Sequence, residues 1–367
     1  MSEGLDADLV LEGGGVKGIA LVGAISVLEE RGYRFHKVAG TSAGSIVGAL
    51  VAAGTSSAEL RTILREVCYR KFQDPPLLGR LGGVGRAAQV VFRGGWCLGD
   101  YLYSWLSGLL AEHNVRTFAD LRLEDPGADA ALRDTPGQNY RFVAMASDIS
   151  HGRLVRLPWD YLGRFHVRPD EIPVAEAVRA SMSIPYYFVP ARLRDHIDGG
   201  ISWMVDGGML SNFPVDVFDR KDGAESRWPT FGIKLSGRPG DNRINDVHGI
   251  VTLSKAMLNT MTGFYDRMHI NEAAVVDRTI FVDTFGVKAT NFDLSPDTAD
   301  KLFESGRQAA TTFLDGDNQH PPWDFKRYKK QFPSQSTEPS AAEAVREPML
   351  IATDGHGRVL HADPATH

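Results

Sequence analysis

Ser42 stands between Gly40 and Gly44 in the stretch Val38-Ala39-Gly40-Thr41-Ser42-Ala43-Gly44-Ser45. A Gly-x-Ser-x-Gly elbow between a strand and a helix lifts the serine oxygen clear of the backbone, as a nucleophile requires, and side chains at the flanking positions would crowd the turn. Because this pattern recurs by chance, its partners decide its meaning. Acyl transfer by serine needs a base for its proton and donors for the oxyanion. The turn Gly13-Gly14-Gly15-Val16-Lys17-Gly18 is the natural donor site, with successive N–H groups at the start of a helix. The same Gly13-x-Gly15-x-x-Gly18 spacing also fits a dinucleotide-binding turn. That reading wants an acidic residue at the end of the second strand, where this chain has Ala39-Gly40-Thr41-Ser42.

A histidine held by a carboxylate is the usual base. His36, His113, His151, His166, His196, His248, His269 and His320 are available, and none sits in a loop of recognisable catalytic design. Val205-Asp206-Gly207-Gly208 is a better candidate: an aspartate ends an apolar stretch, and two glycines let another loop approach. A carboxylate alone serves as base if desolvation raises its pKa and it reaches the hydroxyl. Asp198-Gly199-Gly200 repeats the tripeptide but follows the charged run Arg192 to His196, whereas Asp206 leads into the apolar Met209 to Val215; Asp206 is preferred.

These residues need elements to position them. Leu9 to Leu11 reads as a buried strand, Ile19 to Arg31 as a helix ended by Gly32, and Phe35 to Ala39 as the strand that delivers Ser42. Ile46, Val47, Ala49, Leu50 and Ala53 continue as a helix. Strand, glycine turn, helix, strand, elbow, helix is the grammar of a parallel sheet covered by helices. Tyr140 to Ala146, Leu154 to Leu157, Thr230 to Leu235 and Ile280 to Thr284 are further strand candidates. Ile172 to Ser183, His248 to Val276 and Pro296 to Leu314 read as helices.

Taken together the residues resemble the patatin-like phospholipases. Four blocks stand in that family's order: Gly13 to Gly18, Gly40-Thr41-Ser42-Ala43-Gly44, Ala180-Ser181-Met182-Ser183-Ile184-Pro185, and Asp206-Gly207-Gly208. The resemblance spans about residues 6 to 315. It implies a three-layer α/β/α fold with a mostly parallel sheet, Ser42 as nucleophile, Asp206 as general base, the Gly13 to Gly18 turn as oxyanion hole, and neither metal nor cofactor. Lys17 stands where the family has arginine or lysine, and reads either as a cation near an anionic headgroup or as a solvated helix-start lysine. Pro185 ends a helix, so Ser181 and Ser183 read as structural. An α/β-hydrolase is the nearest enzyme alternative, but there several strands normally precede the elbow and a histidine completes the triad. A lipid-binding regulatory protein on the same fold is the alternative outside catalysis. The family also includes members switched on by partners, so the partners expected are a lipid substrate at a membrane or micelle surface and an activator of unknown identity.

The 367 residues carry a net charge of −6, which argues against a general nucleic-acid binder. Cys68 and Cys97 show neither metal spacing nor a disulfide pattern, the N-terminal residues are acidic rather than signal-like, and no run of about 18 apolar residues occurs. A cytoplasmic location follows as an expectation, with lipid contact peripheral. Residues 61 to 96 are basic, and lead into the aromatic Trp96 to Leu106; a surface loop before a core helix competes here with a membrane-facing surface. A boundary is expected after Asp315, with 1–315 the hydrolase domain and 316–367 a tail containing a Ser/Pro/Glu-rich link and a hairpin around Asp354 to Gly357. The tail either carries control or caps the fold.

Overall fold

The computed structural model describes residues 5–76, 89–123, 138–195, 199–220, 225–235, 273–289, 291–318 and 320–333. In chain order the elements are β1 (Leu5–Leu11), α1 (Gly18–Glu30), β2 (Tyr33–Thr41), α2 (Ala43–Ala52), α3 (Ser57–Glu66), β3 (Gly95–Cys97) and α4 (Asp100–Glu112). There follow β4 (Phe142–Asp148), β5 (Arg153–Leu157), α5 (Trp159–Phe165), α6 (Val174–Ser181), β6 (Tyr186–Phe188), β7 (Ala191–Arg194) and β8 (Ile201–Asp206). The described chain closes with β9 (Thr230–Lys234), α7 (Ala273–Asp277), β10 (Thr279–Phe281), α8 (Pro296–Asp315) and α9 (Phe325–Gln331).

Hydrogen-bonded neighbours in the main sheet run β10-β9-β1-β2-β4-β8-β7, with β5 also on β4. The pairs from β10 to β4 are parallel; β5 and β8 on β4, and β7 on β8, are antiparallel. Alternation along β1 explains the layers. Leu9 and Leu11 pack with the apolar residues of α1, α2 and α8, whereas Val10 joins Ala39, Val143, Phe213, Val215 and Val275 on the opposite face. The sheet is therefore covered on both sides, as the α/β/α reading requires.

The registers on β4 place the site. β2 pairs with Phe142 to Met145 and β8 with Ala146 to Asp148, while β5 occupies the other edge of the shared residues. β2 and β8 thus lie end to end along one edge of β4, running in opposite directions. Thr41 sits opposite Met145 and Asp206 opposite Ala146, so the C-terminal ends of the two strands meet.

The basic stretch that begins at Arg61 is ordered in its described part. Arg61 and Arg65 pair with Asp300, Arg70 pairs with Asp293, and buried Phe72 packs against Tyr101 and Trp105. Leu102, Leu106 and Leu110 make α4 a core helix. Only the end of the helix expected from His248 lies within the described residues, as α7, and the hairpin expected near Asp354 lies outside them. Beyond Asp315, the described residues of 316–333 keep packing on the sheet and helices. Trp323 packs on Phe231 and Phe313, and the Tyr328 hydroxyl donates to the Ala274 carbonyl.

Helices α1 and α8 approach through glycine. A Cβ at Gly306 would lie 2.0 Å from the Ala20 carbonyl oxygen, so one side chain there must separate the helices. Gly306→Val is expected to cost about 1–3 kcal/mol by overpacking, read as a lower denaturant midpoint with an unchanged m-value.

Candidate active site

The elbow forms because two glycines let chain pass against chain. A Cβ at Gly40 would stand 2.2 Å from the Gly44 carbonyl oxygen, and one at Gly44 would stand 2.4 Å from the Leu11 carbonyl oxygen. Between them Ser42 takes φ 52° and ψ −126°, a backbone region that costs a non-glycine residue roughly 1–3 kcal/mol and so needs support from its surroundings. Its N–H donates to Ser181 Oγ at 3.0 Å, and its carbonyl accepts from the Ser45 N–H at 2.8 Å and from the Ser45 hydroxyl.

Ser42 Oγ donates to Asp206 Oδ2 at 2.6 Å, and the Gly208 N–H donates to Asp206 Oδ1 at 2.8 Å. Ser42 is 6% exposed and Asp206 8% exposed. Burial dominates the aspartate's acidity and pushes its pKa up to about 6, the two hydrogen bonds opposing the shift. Among the described residues no imidazole bonds to either group. Met182 Sδ is the other neighbour of the hydroxyl, at 3.5 Å. Asp198, the rival aspartate, lies outside the described residues, as do His196, His248 and His269.

The glycine turn sits beside the elbow: a Cβ at Gly13 would be 3.1 Å from Ser42 Cβ. Four of its six N–H groups are already engaged. Gly13 donates to the Asn212 carbonyl, Val16 to the Ala289 carbonyl, Lys17 to the Gly14 carbonyl and Gly18 to the Gly15 carbonyl. The N–H groups of Gly14 and Gly15 have no acceptor among the described residues. Lys17 Nζ donates to the Leu235 carbonyl at 3.3 Å, which ties the side chain to the protein.

The turn and the aspartate loop are joined by residues that the motifs did not single out. Asn212 Nδ2 donates to the Gly13 carbonyl at 3.1 Å and to Glu12 Oε1 at 3.3 Å. Glu12 in turn forms a buried ion pair with Lys234 and accepts from the Leu235 N–H. The apolar turn after Asp206 was legible in sequence as ordered; nothing in it announced Asn212. Lys234, a lone lysine in a run of buried strand residues, was a signal that a buried acid stood opposite.

Three potential metal ligands also come together: Asp148, His151 and Asp195 each bring one donor atom within 4.8 Å of the others. Arg153 donates to both carboxylates, at 2.7 and 2.8 Å, and Arg164 stands 3.2 Å from Asp195. The cluster is thus compensated by arginine.

A family model described as patatin-like phospholipase matches residues 9–219. The chain belongs to the patatin-like phospholipase family. Lipid acyl hydrolysis is the activity this patatin membership supports in general. Among relatives, the "Uncharacterized protein YqhO" of Bacillus subtilis is 36% identical over 307 residues, covering 84% of this chain and 97% of that protein. "Lysophospholipase nte1" of Aspergillus niger is 29% identical over 217 residues, 58% of this chain. This patatin chain spans only 11% of that fungal protein's length. The crystal structure of VipD from Legionella pneumophila matches with a TM-score of 0.48 and 17% identity, over 84% of this chain and 66% of that one. No helix among the described residues is long and apolar enough to cross a membrane.

The acidity of Asp206 has a consequence for stability. With a folded pKa of about 6 against 3.8 for the free group, the folded state binds the proton more tightly between those values, so stability falls as pH rises through them. At about 1.4 kcal/mol per pKa unit the burden is on the order of 3 kcal/mol above pH 6 and absent below pH 3.8. Asp206→Asn should therefore be more stable than the wild type at pH 8, with the gain shrinking toward pH 4 in urea titrations.

Proposed function

We propose that the protein is a serine acyl hydrolase that cleaves fatty acyl esters of phospholipids or related lipids through Ser42 and Asp206. The observation that carries this reading is the 2.6 Å hydrogen bond from a buried serine hydroxyl to a carboxylate with no cation partner among the described residues. A partly desolvated carboxylate of pKa about 6 is a stronger base than a solvated one, yet still ionised at pH 7. Ser42 Oγ attacks the ester carbonyl carbon while Asp206 takes its proton, and the carbonyl π electrons move onto oxygen. Gly14 and Gly15 are the turn's N–H groups with no acceptor among the described residues, and they stabilise that oxyanion. Collapse breaks the ester bond, and Asp206 returns the proton to the departing alkoxide, releasing an alcohol or lysolipid. Water, deprotonated by Asp206, then adds to the acyl-enzyme carbonyl; collapse breaks the bond to Ser42 Oγ, which takes the proton back from Asp206, and the fatty acid leaves.

A lipid surface is the partner proposed. Val91 and Phe92 are 77% and 83% exposed and precede Arg93, and Gly94 accepts from the N–H of half-exposed Tyr186. Tyr186 is four residues from Met182, whose sulfur touches the Ser42 hydroxyl. Apolar side chains with an adjacent cation suit a headgroup layer. The alternative is a protein on this fold that binds lipid without turning it over. The close serine–aspartate contact favours the enzyme, because a binding protein gains nothing from burying a carboxylate against the serine hydroxyl.

Ser42→Ala and Asp206→Asn should each lower kcat on a short-chain 4-nitrophenyl ester or a fluorogenic phospholipid by at least about 10³-fold. The wild-type kcat/KM should fall below pH 6, where Asp206 is protonated. A fluorophosphonate probe should label wild type and not Ser42→Ala; turnover retained in Ser42→Ala would end this reading, and an unlabelled wild type would favour the binding protein.

A further inference from the structure

Three consecutive residues at the end of α6 reach both halves of the serine–aspartate pair. Ser181 Oγ accepts the Ser42 N–H at 3.0 Å, Met182 Sδ lies 3.5 Å from Ser42 Oγ, and the Ser183 carbonyl accepts the Asp206 N–H at 2.9 Å. Behind them Arg179 donates to Ser183 Oγ at 2.6 Å, to the Val189 carbonyl at 2.7 Å and to the Leu98 carbonyl. The guanidinium therefore ties the segment to the chain beyond β3 and beyond β6.

Ser181 is the member whose side chain bears directly on the elbow. It is fully buried, and its hydroxyl accepts the N–H of Ser42, whose φ is positive. A buried N–H left without an acceptor costs about 1–3 kcal/mol, so without that oxygen the elbow would either bear the penalty or rotate toward another acceptor. Rotation about the Ser42 backbone carries Cβ and Oγ with it. Asp206 would not follow, because its own N–H is held by the Ser183 carbonyl, its register by Ala146 and its Oδ1 by the Gly208 N–H.

We propose that Ser181 is a positioning residue: its hydroxyl holds the Ser42 main chain so that the serine oxygen stays on Asp206. The role is distinct from catalysis, since Ser181 Oγ bonds the backbone of Ser42 rather than a reacting atom. It rests on Ser42 being the nucleophile and adds a requirement that the nucleophile and base alone do not contain.

Ser181→Ala removes one oxygen and adds nothing. The expected result, on a soluble 4-nitrophenyl ester, is a 10- to 100-fold loss of kcat with KM within about two-fold of wild type, the scale of a misplaced reacting group. A second readout separates positioning from general loosening of the fold. Among the described residues the groups that act on the Asp206 carboxyl are the Ser42 hydroxyl and the Gly208 N–H, and the Ser42 hydrogen bond holds its pKa down against burial. Weakening that bond should move the acid limb of kcat to higher pH in Ser181→Ala. Wild-type kcat in a folded Ser181→Ala protein would overturn the proposal. So would a reduced kcat with an unmoved acid limb and a lower thermal midpoint, which is the mark of a structural serine. If Ser181→Ala fails to fold, Ser181→Cys, which keeps the shape but offers a poor acceptor, should show the same shift of the acid limb, and no shift there would also overturn it. A wild type that neither turns over ester nor labels with fluorophosphonate would instead remove Ser42 as nucleophile, an outcome separable from any behaviour of Ser181→Ala.

Discussion

Asp206 carries its carboxylate into a site where one hydroxyl and one backbone N–H are its hydrogen-bond partners. Nearby buried aspartates are treated otherwise. Asp148, at the end of the strand that pairs with β8, and Asp195, just beyond β7, share Arg153, and Arg164 adds a second cation to Asp195. A buried acid with a guanidinium partner is a structural joint, whereas Asp206 has no cation partner among the described residues, and holding its charge in a buried site opposes folding. Much of the surrounding architecture is explained by what it takes to keep that group in place.

The sheet supplies the first constraint. Because β2 and β8 share one edge of β4 and run toward each other, the distance between Ser42 and Asp206 is set by a single peptide step, Met145 to Ala146, on a strand buried along its whole length. The second constraint is polar. Asn212 links the loop after Asp206 to the glycine turn, and the Glu12–Lys234 ion pair anchors that turn to the neighbouring strand. The third is the end of α6, which touches the serine and the aspartate together. The elbow, the Asp206 loop and the glycine turn are thus bonded to one another as well as to the sheet.

Glycines announce themselves in sequence, and so the elbow and the turn were legible: Gly40 and Gly44 are required by backbone contacts that no other residue permits. β1 and β4 were legible from the apolar runs Leu9 to Leu11 and Phe142 to Ala146, and β2 from Phe35 to Ala39 leading into the elbow. β8 was not marked as a strand, since Ile201-Ser202-Trp203-Met204 mixes polar and apolar residues, and its direction relative to β4 is a tertiary fact. Ser181 was read as structural because its block ends at a proline. Its bond to a backbone N–H 139 positions away has no local signature. Asn212, Glu12 and Lys234 are of the same kind: polar residues whose meaning arises only when separate loops converge.

Ser42 and Asp206 are 164 residues apart in the chain, and the contact between them closes only when β8 docks on β4. Contacts of such separation form after the local ones, because the entropy of closing a long loop must be met first. During synthesis the elbow emerges early, with β1, α1 and α2 able to pack around it, while its aspartate is still to be translated. A chain truncated anywhere before β8 carries Ser42 without Asp206. Ser42 and Asp206 therefore become a pair late, only once β8 has been made and has docked on β4.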